Sequence, residues 1–250
     1  MNKEAIHFQV LDFAKRIHKK CVDRVSSLTC QRCNRQQVYC ICLYCRILEL
    51  AKDCINLVLS PSIGLEILLR CMLETLTDLK ILVESPDYWQ TMHAQALKQQ
   101  IKLGKAAPAN PFLKSIAVAL DFSNVLAEKE SKLNKLEQQG HKTFTFKERF
   151  EKAKMSHEYE SFYNILSEAV HPNLMNLQNY IHQGKSGPEF QVYNPLDQNT
   201  LMGGLSMMLD MLLVSSEMVH TMLKSGVSFK EERKLLENIA EAKTSPRIST

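Results

Sequence analysis

Apolar residues recur at helical spacing through most of the chain, most densely from Ile63 to Glu84, IGLEILLRCMLETLTDLKILVE. Thirteen of these twenty-two residues are apolar, yet Glu66, Arg70, Glu74 and Asp78 recur at every fourth position. On a helix this spacing stacks four charges into one narrow stripe, which predicts a helix buried almost all round. A second run, Tyr163 to His171, repeats the arrangement: Tyr163, Ser167 and His171 form a polar stripe on a mostly apolar helix. The two stripes are expected to face each other.

The same periodicity and its breaks predict the remaining elements. Ile6, Val10, Phe13, Ala14, Ile17, Cys21 and Val25 mark a helix from Lys3 to about Leu28, with Lys15, Arg16, Lys19, Lys20 and Arg24 on the opposite face. That face is either solvated or a surface for phosphates. Gln36 to Leu59 reads as one continuous helix. Ser60 as N-cap and Pro61 at the first helical position open the run above, and Ser85-Pro86 repeats the signal before a half-exposed helix over 87–105. Pro108 and Pro111 end it. A helix over 112–138 becomes a solvated extension in KESKLNKLEQQ, and a loop over 140–145 precedes a short basic helix over 146–155. The helix carrying the second stripe spans 157–170 and is stopped by Pro172. A loop or small hairpin over 184–195 follows. Asp197 or Asn199 caps a Met-rich helix running to about Lys224, Gly226 ends it, and a last helix over 229–242 leads into a frayed tail.

Eight Gly and eight Pro in 250 residues, with Leu, Lys, Glu, Met and Ala frequent, indicate an all-α protein, a bundle of about eight helices. At 45% hydrophobic the chain can bury a full core, so 1–226 is expected to be a single helical domain with 227–250 as a C-terminal helix and tail. The net charge of +4 arises from 31 basic and 27 acidic residues that are mostly interleaved, which permits nucleic acid as a partner without demanding it. The N-terminus has no uninterrupted apolar h-region and no small-residue cleavage site, which points to the cytoplasm. Leu201 to Val219 comes nearest to a membrane span, but Asp210 at its middle, with Gly203, Gly204, Ser206, Ser215 and Ser216, favours a core helix, and no membrane partner is expected.

Chemistry concentrates in three places. Cys30-x-x-Cys33 and Cys42-x-x-Cys45 offer the four thiolates of a structural zinc site, a small appendage over 30–45 that would also dock a protein partner; on a continuous helix the cysteines are small buried hydrophobes instead. The two stripes supply Arg70 to hold a phosphate, His171 as a proton carrier near neutral pH, Glu74 to orient one of these two side chains, and Tyr163 and Ser167 to position a substrate. The alternative is a non-enzymatic interaction module in which the stripes are internal ion pairs and hydrogen bonds. Glu168-x-x-His171 and Glu217-x-x-His220, with Glu74, match part of a metal-carboxylate bundle, but Glu189 is the sole Glu between 172 and 216 and lies in a loop. No Gly-rich nucleophile elbow surrounds Ser167, and no Gly-x-x-x-x-Gly-Lys loop is present, which argues against acyl transfer and ATP hydrolysis.

The pairing of L-x-R-x-x-x-E, carrying Arg70 and Glu74, with Y-x-x-x-S-x-x-x-H-P, carrying Tyr163, Ser167, His171 and Pro172, resembles an uncharacterised bacterial helical family, a domain of unknown function. The resemblance covers about Ile47 to Lys224. More distantly the chain is similar to the HEPN helical bundles, many of them RNases in toxin and antiviral systems. Those carry an Arg and a His on one helix, whereas Arg70 and His171 belong to separate helices. The likeness implies a bacterial defence or toxin-like effector acting on RNA or a nucleotide, as a ribonuclease or a nucleotide-acting enzyme.

Overall fold

Leu65, Leu69, Met72, Leu73, Leu76, Leu79 and Leu82 repeat every three to four residues, and the helix they form, α3 (Gly64–Glu84), buries all of them. Only Ile67 and Glu84 of this helix are exposed. The charged stripe is half-buried, as its narrowness requires. A computed structural model describes residues 3–59, 64–111, 122–170, 178, 180–184, 187–190 and 198–244. The Ser60-Pro61 start signal, His171, Pro172 and Asp197 lie outside them.

The molecule is all-α, with nine helices of seven or more residues among the described residues where about eight are expected from the pattern. Before α3 come α1 (Lys3–Arg24) and α2 (Arg35–Leu59); after it come α4 (Tyr88–Ala106), α5 (Phe122–Gln138), α6 (Phe146–Lys152), α7 (Asn164–Val170), α8 (Gln198–Met222) and α9 (Lys230–Thr244). A single turn, Ser156–Glu158, and a π-helical turn, Tyr159–Tyr163, lead into α7. Strands β1 (Ile181–Gly184) and β2 (Gly187–Phe190) form an antiparallel hairpin with Ile181 opposite Phe190.

The core is built from α1, α2, α3 and α8, with α2 and α3 the most closely packed pair. Asn34 caps α2 by accepting from the Gln37 backbone N–H at 3.1 Å, and Gln36 then donates to the carbonyls of Leu82 at 2.8 Å and Val83 at 3.2 Å. This side chain ties the start of α2 to the end of α3 and satisfies carbonyls that a helix end leaves open. Met-rich α8 is long and apolar enough to cross a membrane, yet Leu205, Met208, Leu209, Leu212 and Leu213 are all fully buried against its neighbours. A Cβ on its Gly204 would stand 3.0 Å from Leu65 Cδ2 and 3.3 Å from Leu69 Cδ1, so glycine sets how closely α8 approaches α3.

Around this core stand two smaller units. Helix α4 lies beside α2 and α3 and carries α5 on its other side, while α6 and α7 lie against α3. The last helix, α9, reaches back across the molecule. Its buried Glu232 pairs with Lys20 and Arg24 of α1, and its Arg233 pairs with Asp210 at 2.6 Å and Glu217 at 3.1 Å on α8. The basic face of α1 is therefore largely ion-paired, since Arg16 and Lys19 also hold Asp12 and Asp23 within their own helix.

Candidate functional site

The stripe on α3 meets Tyr163, the last residue of the π turn that leads into α7. Arg70 Nε donates to Glu74 Oε1 at 3.0 Å, and Arg70 Nη2 donates to the Tyr163 hydroxyl at 3.0 Å. The side chains of Arg70 and Glu74 are 18% and 24% exposed, so the pair is shielded but reachable from water. Burial, and then the charge of Glu74, raise the Tyr163 pKa and keep its phenol protonated as a donor.

The π-helical turn interrupts the single α-helix expected over 157–170. A π turn inserts about one extra residue into the winding, which re-aims the side chains that follow it. Here it sets Tyr163 among aromatic rings, with centroids 5.2 Å from Tyr159, 5.1 Å from Phe150 and 5.7 Å from Phe146, and with the Arg70 guanidinium 5.0 Å from its own centroid. Beyond it, Asn164–Val170 is regular, so Ser167 follows one turn later. The chain passes from Arg149, opposite Asp78, to Tyr163, opposite Arg70, and so runs antiparallel to α3. Glu66, the first residue of the stripe on α3, has its pKa raised by burial. The Ser167 hydroxyl is buried and has no hydrogen-bond partner among the described residues.

Arg149 extends the network. A capping box opens α6: Thr145 Oγ1 accepts from the Glu148 N–H at 3.3 Å, while Glu148 Oε2 accepts from the Thr145 N–H at 2.7 Å. The start of the helix is thereby set, and Arg149 points at α3. Its Nε donates to Asp78 Oδ1 at 2.9 Å, and its Nη2 donates to Asp78 Oδ2 at 2.5 Å and to the Glu74 carbonyl at 3.4 Å. Tyr88, at the start of α4, donates to Asp78 Oδ1 at 2.7 Å, and burial together with that carboxylate pushes its pKa well up. Three of the four stripe residues thus find partners on other elements.

Between α3, α4 and α6 lies an open cleft of about 390 Å³. Glu74, Thr75 and Asp78 line it from α3, Tyr88, Thr91, Met92 and Gln95 from α4, Phe144, Phe146 and Arg149 from the α6 side, and Arg46 from α2. Glu74 belongs both to the Arg70–Tyr163 centre and to the cleft.

A family model matches residues 37–188, that of a family of unknown function, DUF5677. The chain belongs to this family. The DUF5677 match takes in more than half of the chain, from early α2 to β2, and so contains Arg70, Glu74, Arg149, Tyr163, Ser167 and the cleft. Helices α1, α8 and α9 fall outside it, as do Cys30 and Cys33. No curated protein and no solved structure is significantly similar to the chain. The family carries no assigned activity, and the HEPN likeness stays a resemblance.

The expected site residues therefore divide. Arg70, Glu74 and Tyr163 are brought into direct contact, Ser167 is placed one turn along, and His171 lies outside the described residues. Arg149, Tyr88 and Gln95 are additional residues that periodicity does not single out. The Thr145-x-x-Glu148 box is legible in the sequence and fixes where α6 starts, but the Arg149–Asp78 contact spans 71 positions and carries no local signal. Among the cysteines, exposed Cys30 and Cys33 precede α2, and Cys42 and Cys45 stand on it, one exposed and one half-buried. Among the described residues no group of three or more His, Cys, Asp or Glu is gathered to hold a metal ion. Cys40 and Cys54 are core residues whose thiol pKa burial pushes up to about 12. Glu217 holds Arg233, and the buried His220 ring contacts Ser225 Oγ through Nδ1 at 2.7 Å, so these two side chains face different partners.

Proposed function

We propose that the chain is a bacterial defence or toxin-like effector that acts on RNA or a nucleotide, centred on Arg70, Glu74 and Tyr163. The observation that carries this reading is the Arg70 guanidinium, held by Glu74 and Tyr163 at 3.0 Å each beside an open cleft of about 390 Å³. A guanidinium fixed by a carboxylate and a phenol is pre-oriented, and its remaining N–H groups suit the paired oxygens of a phosphate. Tyr163 adds a neutral donor for developing negative charge, and Ser167 adds a buried hydroxyl one turn away. On this reading His171 is the proton carrier that completes the centre.

The test is growth and total-RNA integrity in cells expressing the wild type beside Arg70→Ala, Tyr163→Phe and His171→Ala, with melting temperatures of the purified proteins. Growth arrest and RNA or nucleotide loss should occur with the wild type and fall by at least about tenfold in each variant that stays folded. Full activity in folded Arg70→Ala and His171→Ala overturns the assignment.

A second reading is a non-enzymatic module that docks a protein partner. Its support is a set of exposed apolar side chains, Phe162 in the π turn, Ile165 at the start of α7 and Phe190 on β2, the last 79% exposed. That reading predicts no RNA or nucleotide loss in any of the strains above.

A further inference from the structure

We propose that the exposed ridge of α2 beside the start of α4 binds a single-stranded nucleic acid and leads it to the cleft; this rests on the RNA-acting reading above and names the form of the substrate and where it docks. Arg35, Tyr39, Cys42 and Arg46 are spaced four, three and four residues apart on α2, so they share one helix face, and all four are exposed. Arg32 stands in the turn just before the helix and is exposed as well. From Arg35 to Arg46, roughly 16 Å along the helix axis, the face runs guanidinium, ring, thiol, guanidinium.

The ring is the part that takes a base. Tyr39 stacks on Trp89 of α4, with centroids 6.1 Å apart and planes 13° from parallel, and it stays 37% exposed. A ring backed by a second ring is held in place, which lowers the ordering cost of stacking a ligand on it. The cations beside it are available. Among the described residues Arg32 and Arg35 enter no ion pair, and Arg46 reaches Glu49 at 3.4 Å, both side chains being exposed. Such a surface pair is weak enough to give way to a phosphate. One ring among three guanidinium groups is the complement of a polyanion with free base faces: arginine holds the phosphates and the ring stacks a base. A duplex cannot use the ring, because its bases are already stacked on one another. The ridge also ends at the candidate site. Arg46 lines the cleft from α2, and Met92, one turn after Trp89, lines it from α4. Glu74, in the same lining, holds Arg70. A strand with a base on Tyr39 and a phosphate on Arg46 is thus led into the cleft beside the Arg70 centre.

Trp89 is the only tryptophan of the chain, so its emission reports on this ridge alone. The experiment titrates the full chain with a 2′-O-methyl RNA strand of about eight nucleotides, with its duplex and with heparin, following Trp89 emission at several salt concentrations. Wild type is compared with Tyr39→Ala, Tyr39→Phe, Arg35→Ala and Arg46→Ala, with a melting curve for each. The single strand should bind and change the emission. Tyr39→Ala should weaken binding about tenfold while Tyr39→Phe retains it. Each arginine variant should reduce the slope of log affinity against log salt by about 0.7, which keeps the test open if Tyr39→Ala unfolds. Equal binding of the duplex, binding that leaves Trp89 emission unchanged, or full affinity in folded Tyr39→Ala overturns the proposal. Heparin bound as tightly as the strand, with the same loss in Tyr39→Ala, also overturns it. So does the absence of any binding, which leaves the ridge to a protein partner. The ridge and the reading it rests on fail separately. RNA cleavage in cells that Arg70→Ala abolishes, without strand binding at the ridge, removes the ridge and keeps the reading; strand binding at the ridge without RNA or nucleotide loss in cells keeps the ridge and removes the reading.

Discussion

At the scale of single residues, Arg149 and Asp78 make the most tightly held ion pair of the centre, two-pronged and only 15% and 18% exposed. Removing one partner strands the other charge in a poorly hydrated place, so Arg149→Ala should cost about 3 kcal/mol in a denaturant melt. Mutating the exposed Arg16–Asp12 pair should cost well under about 1 kcal/mol by the same measurement. His220 makes a pH prediction. Burial, and then Arg24, lower its pKa below the ordinary 6.5, and its Nε2 is buried without a partner. Above pH 6.5 the ring is neutral folded and unfolded alike. As the pH falls below that value the unfolded chain takes up a proton that the fold refuses, until the folded pKa is reached, so stability should drop across that window. The melting temperature followed from pH 7.5 to 5 should fall, and the slope should flatten in His220→Gln. An unchanged slope in that variant assigns the acid sensitivity to other groups, such as His18, whose pKa burial also lowers.

At the scale of elements, glycine and the capping box place helices that apolar periodicity leaves unplaced. A Cβ on Gly104 would stand 2.5 Å from Leu126 Cδ2, with Cγ and Cδ1 of that side chain at 3.2 and 3.3 Å. Alanine there gains about 1 kcal/mol of helix propensity but forces Leu126 out of its seat, at about 1–3 kcal/mol. Gly104→Ala should therefore destabilise the α4–α5 pair, and the same change made in a Leu126→Ala background should stabilise it, a reversal that a double-mutant cycle reads directly. The π turn has the same kind of importance. Tyr163 and Ser167 share a face by their spacing, but the wide turn that ends at Tyr163 decides which way that face points.

At the scale of the whole molecule, α2, α3 and α8 pack on one another at the centre of the core, whereas α4 touches α2 and α3 along one edge and α5 packs on α4. Native-state hydrogen exchange should find the slowest amides in α2, α3 and α8, with α4 and α5 opening well before global unfolding. The helical class, the near-complete burial of α3 and the positions of most helices follow from spacing along the chain, because a 3.6-residue repeat of apolar side chains can be buried in few other ways. Arg70 and Glu74 were legible as a pair for the same reason, being one turn apart. The four-residue spacing shared by the two stripes leads to the expectation that they face each other, and the Arg70–Tyr163 hydrogen bond at 3.0 Å joins one residue of each. Arg149, Tyr88 and Gln95 were not legible: their roles depend on neighbours contributed by other helices, and a charge or an amide in a sequence does not announce its partner. Periodicity determines which face each helix hides. Which residues close the network and shape the cleft was decided only when the helices packed, since packing alone sets the distances over which hydrogen bonds and ion pairs act.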